Sequence, residues 1–315
     1  MGRILLALMV AAAGLMAQTG AKSYFTLHEV GRGVFAAVAT AGSSAGSNAG
    51  FVIGDDGVLV VDTFEDPAAA QALLAAIRER TRLPVRYVIN THYHLDHVAG
   101  NQIFADAGAV LCAQRNVRVW IHSDNLKFFG AHPTPAQQAR VAAYRAPELL
   151  YDDGLDIWLG TRHVIVRVFP GHTGGDSAVL VPDADVVYTG DLFWDHSLPN
   201  VIDASTKQLL STLTQLEAWG PRPESTIFVP GHGELGRRAD VAAFRGYLVA
   251  LRDTVAAGRA HGLSGESLAA AALPGLQAKY GSWGFFAHFS KLNLVQTDAE
   301  LAGTKLVPVP PSAVH

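Results

Sequence analysis

Short apolar runs, separated by glycine, proline and polar turns, recur along most of the chain. In the first half, "YFTLHEV", "GVFAAVA", "AGFVIG" and "GVLVVDT" are rich in Val, Ile and Phe, which predicts strands joined by tight turns. "EDPAAAQALLAAIRER" then places apolar residues at helical spacing, with Asp66 as its predicted N-cap and Pro67 at the first helical position. "VRYVIN" predicts a further strand.

The second half of the chain repeats this alternation. Strands are predicted at "LDIWLG", "HVIVRVFPG", "SAVLVP", "DVVYTGD" and "STIFVPG", and helices at "STKQLLSTLTQLEAW" and "RADVAAFRGYLVALRDTVAA". Strands and helices in both halves are typical of layered sheets covered by helices. The pattern therefore predicts an α/β fold.

Two segments depart from the alternation. The small residues of "TAGSSAGSNAG" (40–50) predict an exposed, flexible hairpin loop. Residues 113–154 contain helical pieces broken by "AHPTP" and "APE". This stretch is interpreted either as a lid or pocket wall or as a plain helical connection.

The amino terminus has the pattern of a secretory signal peptide. Arg3 precedes an apolar run from Ile4 to Met16, and small and polar residues follow. The prediction is a signal peptide over 1–21 and one domain over 22–315, in a secreted or periplasmic protein without stable membrane insertion after the signal is removed. A membrane anchor or a buried first helix is the alternative, although the run is short for a span.

Composition narrows the function classes. Of the 315 residues, 49% are hydrophobic and 17% charged, which fits a folded globular chain. The net charge of −4 and the lack of a Lys/Arg run argue against a nucleic-acid partner. Cys112 is the only cysteine, so it cannot form an intrachain disulfide, and it is interpreted as a buried apolar residue.

Histidine and aspartate follow four predicted strands at the point where each ends. In "THYHLDH" the first two imidazoles are two residues apart and can point the same way on an extended segment, while the aspartate and the last histidine fall around the next turn. One edge of the sheets therefore presents a set of potential ligands for two adjacent metals. The set is His92, His94, Asp96, His97, His172, Asp191 and His232.

The motifs "THYHLDH", "GHTGGD", "TGD" and "PGHG", in this order and spacing, resemble those of the metallo-β-lactamase superfamily. The resemblance covers nearly the whole chain after the signal, and Asp62 of "VLVVDT" matches the acid that supports a metal ligand in that family. It implies an αββα sandwich of the metallo-β-lactamase type. That fold agrees with the predicted strands and helices.

The resemblance also assigns the ligands. They form two sites that share one carboxylate: His92, His94 and His172 in the first, Asp96, His97 and His232 in the second, and Asp191 in both. Nitrogen and oxygen ligands without a thiolate fit two zinc ions per chain and also tolerate iron or manganese. A purely structural zinc site is disfavoured, since such sites are closed cages of four ligands.

The implied activity is that of a binuclear zinc-dependent hydrolase. A metal-bridging hydroxide would attack a small carbonyl substrate: a β-lactam, a lactone, or another ester or thioester. Asp96 is the predicted catalytic residue, since it can orient the hydroxide or pass its proton. The alternative is an iron-dependent oxidoreductase of the persulfide dioxygenase type. The complete ligand set favours the hydrolase.

Differences from particular subfamilies narrow the predicted activity. The second site lacks the cysteine of many zinc β-lactamases, and the bridging Asp191 resembles that of glyoxalase II and the lactonases, which argues against a typical lactamase. The aromatic, weakly charged C-terminal region disfavours glyoxalase II, which binds glutathione through basic residues. Where lactonases carry a tyrosine three residues beyond the bridging aspartate, this chain has Trp194.

Aromatic residues predict the nature of the substrate. Trp194 and His196 are the predicted substrate-binding residues, because both follow the bridging aspartate closely in sequence. An apolar rim would suit a neutral or weakly anionic compound with an apolar portion. The alternative is that these aromatics fill the core. The other aromatics considered for the rim are Phe193, Phe128, Phe129, Trp283 and Phe285.

Overall fold

The computed structural model describes residues 23–309 of the chain. Two β-sheets face each other at the centre of the fold. The first sheet has seven strands in sequence order. Its first four strands are antiparallel, and the fourth to the seventh are parallel. They are β1 (Phe25–Gly31), β2 (Val34–Ala39), β3 (Ala49–Ile53), β4 (Val58–Val61), β5 (Val85–Asn90), β6 (Val110–Gln114) and β7 (Leu149–Tyr151).

The second sheet has five strands in the order β12-β11-β10-β9-β8. Only β11 and β12 are parallel, because a helical connection links them. The strands are β8 (Gly154–Leu159), β9 (Arg162–Val168), β10 (Ser177–Val181), β11 (Val186–Trp194) and β12 (Ile227–His232).

Helices cover the outer face of each sheet. Helices α1 and α3 pack on the first sheet, and α6 to α9 on the second. The helices are α1 (Pro67–Arg80), α2 (Leu95–Val98), α3 (Asn101–Asp106), α4 (Arg115–Ser123), a 3-10 helix (Asn125–Phe129), α5 (Pro135–Ala142), α6 (Thr206–Leu216), α7 (Arg238–Ala260), α8 (Gly265–Tyr280) and α9 (Phe286–Ala302).

Strand β2 shows why the layers form. Its side chains alternate between two apolar environments, so Val34 and Ala36 pack between the sheets while Phe35 and Ala37 pack towards the helices. Every position from Val34 to Val38 is buried. A strand that is covered on both faces reads as a continuous apolar run, as the sequence does here. The predicted αββα sandwich is confirmed.

Several local predictions are also confirmed. Asp66 caps α1 by accepting a hydrogen bond from the backbone N–H of Ala68, and Pro67 occupies the first turn. Cys112 is buried and free, and burial raises the pKa of its thiol to about 12. The broken helical stretch 113–154 contains α4, the 3-10 helix and α5.

The hairpin loop between β2 and β3 corrects one prediction. Ala45, Ser47 and Asn48 are buried rather than exposed. The Asn48 side-chain amide donates to the carbonyl oxygens of Pro230 (3.0 Å) and Gly233 (2.9 Å), which docks the loop on the end of β12. Only the tip of the loop, near Gly42, is open to solvent.

The C-terminal helices α8 and α9 were not among the predicted elements, although they complete the outer layer on the second sheet. The predicted signal peptide, 1–21, lies outside the described residues. Between residues 23 and 309, no helix combines the length and apolar character that crossing a membrane requires.

Candidate metal centre

The predicted ligands converge because several strands end at one edge of the two sheets. His92 and His94 directly follow β5, and Asp96 and His97 lie in the short helix α2. The other three come from the second sheet: His172 from the loop after β9, Asp191 from within β11, and His232 from the last position of β12. Residues that are up to 140 positions apart in the sequence thus meet at one place.

Four of these side chains form a first group. Nε2 of His172 lies 3.0 Å from Nδ1 of His94 and 3.2 Å from Oδ2 of Asp191. Nε2 of His92 is 3.7 Å from the same carboxylate oxygen. One ligand atom from each of the four residues lies within 4.8 Å of the others, a spacing that can enclose one ion.

A second group lies on the other side of Asp191. Asp96, His97 and His232 offer ligand atoms within 4.8 Å of one another. Oδ2 of Asp96 is 3.2 Å from Nε2 of His232 and 3.5 Å from Nε2 of His97. The second oxygen of Asp191, Oδ1, is 3.1 Å from His97 Nε2 and 3.4 Å from His232 Nε2. The Asp191 carboxylate therefore presents one oxygen to each group.

The atoms that face the centre of this cluster lack hydrogen-bond partners. They are Nε2 of His92, Nε2 of His97, Nε2 of His232 and Oδ1 of Asp191. All four are buried, and leaving such an atom unpaired costs about 1–3 kcal/mol. Although some of these atoms are close together, their contacts lack hydrogen-bond geometry. Nitrogen and oxygen atoms of this kind fit divalent cations, so the residues present suit the two ions that the sequence predicts.

The electrostatics of the cluster also favour bound cations. Burial opposes ionisation of Asp191, but the positive charges of His232 and His97 outweigh it and hold the pKa of Asp191 well below its usual range. Burial would lower the pKa of His232, yet Asp191 and Asp96 raise it to about 9. The carboxylates therefore stay anionic, and they keep positive charge on the neighbouring imidazoles.

Asp62 orients two of the imidazoles. Its Oδ2 accepts from His97 Nδ1 at 2.8 Å, which leaves Nε2 of His97 free to bind a metal. The same carboxylate accepts from the Thr91 hydroxyl at 2.8 Å, and Nδ1 of His92 contacts that hydroxyl at 3.1 Å. One acid thus supports a ligand in each group. This agrees with the role that the resemblance assigned to Asp62.

Asp203 supports His94, although no sequence motif identifies it. Its Oδ2 lies 3.1 Å from Nε2 of His94 and accepts a hydrogen bond from the Tyr93 hydroxyl at 2.5 Å. Lys127 donates to the other oxygen at 2.6 Å. Asp203 is 109 positions away from His94 and lies in an irregular loop before α6, outside every recognised motif. The contact leaves Nδ1 of His94 free for the first group.

Two glycines allow the backbone to approach the ligands. A Cβ atom at Gly231 would collide with Oδ1 of Asp191. Gly46 has a left-handed φ of 82°, and a Cβ there would lie 2.9 Å from the Cβ atoms of Asp96 and Glu65. Larger residues at these positions would displace a ligand or the hairpin loop that packs beside it.

A cavity of about 730 Å³ opens over the two groups. Of the ligands, the side chain of Asp96 is the most exposed at 20%, whereas that of His172 is inaccessible. Asp96 is therefore the ligand best placed to reach a substrate. The ligands that line this cavity are His94, Asp96, Asp191 and His232.

The predicted substrate-binding residues have different locations. Trp194 lines the cavity, and its ring stacks on His232 with centroids 3.8 Å apart. His196 is not part of the cavity wall: its side chain is 57% exposed, its Nδ1 is 2.8 Å from Asp195, and its ring packs against Trp283. The backbone of His196 has a left-handed φ of 41°. The structure does not support substrate contact by His196.

The aromatic rim is only partly as predicted. Phe128 and Phe285 line the cavity, whereas Phe129 and Trp283 do not. Phe193 is fully buried and packs on Phe244 beneath the helices, so its role is to fill the core. The side chains of β11 alternate between the faces of the sheet, which explains why neighbouring aromatics differ in this way.

The C-terminal segment supplies cavity residues that the sequence analysis did not identify. His288 and Phe289, in the first turn of α9, line the cavity with Phe285. Only Phe128 reaches it from the stretch 113–154, which makes that stretch a minor part of the wall.

The chain is similar in sequence and in fold to known proteins. A model of the metallo-β-lactamase superfamily matches residues 44–232, a range that includes all seven predicted ligands. A solved metallo-β-lactamase from Pontibacter korlensis has a TM-score of 0.60 and 18% sequence identity, and covers 71% of this chain and 99% of its own. This likeness identifies the fold.

Two curated proteins are similar to part of the chain. A probable metallo-hydrolase of Bacillus subtilis is 26% identical over 190 residues, which is 59% of this chain and 85% of that protein. A hydroxyacylglutathione hydrolase of Brucella anthropi is 26% identical over 186 residues, 59% of this chain and 61% of that protein. Both relatives are described as hydrolases.

Proposed function

The chain belongs to the metallo-β-lactamase superfamily as a metallo-hydrolase with a His/Asp metal site, and we propose that it is a binuclear zinc-dependent hydrolase of small carbonyl compounds. One observation carries the proposal. The two ligand groups lie on opposite sides of Asp191, and each faces a different oxygen of its carboxylate. A bridging carboxylate is the arrangement that holds two cations close together.

The residues divide the work of the reaction. Two bound divalent ions would lower the pKa of water towards 7 and polarise a carbonyl oxygen. Asp96 faces the cavity and lies beside both His97 and His232, so it can accept a proton from the attacking water. Asp62 and Asp203 hold the imidazoles in the tautomers that leave their inward nitrogen atoms free.

The cavity supports a small substrate with an apolar portion. Its volume of about 730 Å³ is in the range of small-molecule sites. Trp194, Phe128 and Phe285 give it aromatic walls. We expect the substrate to be a β-lactam, a lactone, or another ester or thioester. The similarity to a hydroxyacylglutathione hydrolase supports keeping thioesters among these classes.

Zinc is the proposed metal because all the ligand atoms are imidazole nitrogens and carboxylate oxygens, which zinc binds readily. Iron or manganese would also accept this set. An iron oxidoreductase of the persulfide dioxygenase type needs only one group of ligands. The presence of both groups therefore favours the hydrolase.

We also propose that the protein is exported and that the first 17–21 residues, roughly, are removed, because the amino terminus has the charge and apolar pattern of a signal peptide. Export would give the enzyme small molecules of the periplasm or medium as substrates.

Elemental analysis combined with a hydrolysis panel tests the proposed activity. Protein reconstituted with excess zinc should contain two ions per chain and should cleave at least one of a lactone, an aryl ester, a thioester, a penicillin and a cephalosporin. Cleavage of a phosphodiester alone would contradict the carbonyl substrate. One ion or fewer per chain would contradict the binuclear site.

A further inference from the structure

The cavity wall carries negative charge beyond that of the predicted metal ligands. Glu65 and Glu234 both line it, while no lysine or arginine does among the described residues. Glu65 is partly neutralised by Arg140, whose guanidinium lies 3.1 Å away. Glu234 is exposed at the mouth, and within residues 23–309 no cation pairs with it. Its carboxylate is available to a ligand.

Aromatic rings line the same cavity as Glu234. Phe285 is 47% exposed, and its ring lies 5.8 Å from that of His232, two residues before Glu234. The Phe285 ring also packs edge-on against Trp194 at 5.6 Å and lies 5.8 Å from Phe289. The faces of such rings attract cations and tolerate neutral apolar groups. The cavity therefore presents both aromatic faces and the Glu234 carboxylate to a ligand.

We propose that this cavity selects esters and lactones whose remote portion is uncharged or cationic, and that Glu234 rejects substrates with a carboxylate there. The inference rests on the proposed hydrolase function and names the substrate class for that site. Penicillins, cephalosporins and glutathione thioesters all carry carboxylates away from the reacting carbonyl. We therefore expect them to be poor substrates.

Bound metal ions would attract anions, but they would do so at the reacting end of the cavity and not at the remote group of the substrate. Asp96 and Asp191 would neutralise part of the charge of two bound divalent ions at the reacting end of the cavity. A carboxylate that binds there would occupy the position of the scissile carbonyl. Such non-productive binding lowers kcat and KM together and leaves kcat/KM unchanged. The ratio kcat/KM therefore reports the remote group.

Three matched esters test the proposal. They are para-nitrophenyl hexanoate, its six-carbon analogue with a terminal trimethylammonium group, and the mono-para-nitrophenyl ester of adipic acid. Zinc-loaded protein is assayed at about pH 8, where free imidazoles are neutral, and chelator-treated protein supplies the background rate. We expect kcat/KM to rank the cationic ester first and the anionic ester last, with about tenfold between them. Exposed charge pairs contribute up to about fivefold each.

Charge variants separate the role of Glu234 from the overall charge of the protein. Glu234→Gln should reduce the ratio of kcat/KM for the cationic ester to that for the anionic ester by about two- to fivefold. Glu234→Lys changes the charge by two units and should reduce this ratio by about four- to 25-fold. Glu79→Gln is the matched control, because this glutamate lies at the end of α1, is 75% exposed and does not line the cavity. Circular dichroism and metal content confirm that each variant is folded and loaded.

Binding of uncleaved analogues distinguishes the two proposals. The matching N-methyl amides are titrated by calorimetry into the same zinc-loaded protein. If none of the esters is cleaved but the amides bind in the expected order, the hydrolase function fails and the charge selection stands. If the anionic ester or amide equals the cationic one, or if the Glu234 variants behave like Glu79→Gln, the charge selection is wrong.

Discussion

Asp203→Asn tests whether a residue that no motif reveals controls the first metal site. The carboxylate is 3% exposed and accepts three hydrogen bonds, from His94, Tyr93 and Lys127. Burial opposes its ionisation, but the hydrogen bond and charge of His94, with the charge of Lys127, hold the pKa of Asp203 well below its usual range. It is thus an anion that fixes the His94 imidazole.

An asparagine at this position cannot satisfy all three donors. If its oxygen faces Lys127, its amide nitrogen faces the Nε2–H of His94, and donor then meets donor; the flipped amide places the same conflict at Lys127. Outer hydrogen bonds of this kind change metal affinity by about 10–100-fold. That range corresponds to about 1.4–2.8 kcal/mol.

The assay is competition for zinc with a chromophoric chelator at fixed pH. We expect Asp203→Asn to weaken one of the two zinc sites by about 10–100-fold and to leave the other, formed by Asp96, His97 and His232, nearly unchanged. Asp298→Asn is the control, because Asp298 is also a buried carboxylate in an ion pair, here with Arg259, but lies in α9. Unchanged affinity in Asp203→Asn, or equal losses in both variants, would refute the positioning role.

The remaining predictions concern the bridge, the backbone and processing. Asp191→Asn should bind the second ion and turn over substrate at least 10–100-fold less well, as metal content and kcat/KM would report, and an unchanged variant argues against bridging. Gly231→Ala should reduce metal content because its Cβ meets Asp191, whereas Gly246→Ala, in α7 with open space around it, should retain both ions. Chelation of the metal should lower Tm, and added zinc should restore it. If the chelator leaves Tm unchanged, the ions do not stabilise the fold. Amino-terminal sequencing of exported protein should find the chain starting near residues 18–22, and an intact Met1 on cytosolic protein would contradict export.

Local patterns in the sequence were enough to predict the layers of the fold. The continuous apolar run of strands such as β2 and the cap at Asp66 are decided by neighbouring residues, so they are visible without a structure. The grouping of the ligands followed from the resemblance, and the structure brings the same residues together around Asp191.

Features that depend on contacts between distant segments were missed. Asp203 acquires its role only because its loop meets the end of β5, and nothing in the neighbouring sequence marks that contact. Helix α8 contains Pro274, a residue that normally interrupts a helical pattern. His196 is close to Asp191 in sequence, but its backbone has a left-handed φ and its side chain does not line the cavity.

We propose that two ions bind on opposite sides of the Asp191 carboxylate. Anomalous diffraction from a zinc-loaded crystal, collected above and below the absorption edge, tests it most directly. We expect two peaks per chain, one among His92, His94 and His172 and the other among Asp96, His97 and His232, each next to a different oxygen of Asp191. A single peak, or two peaks of which only one contacts Asp191, would contradict it.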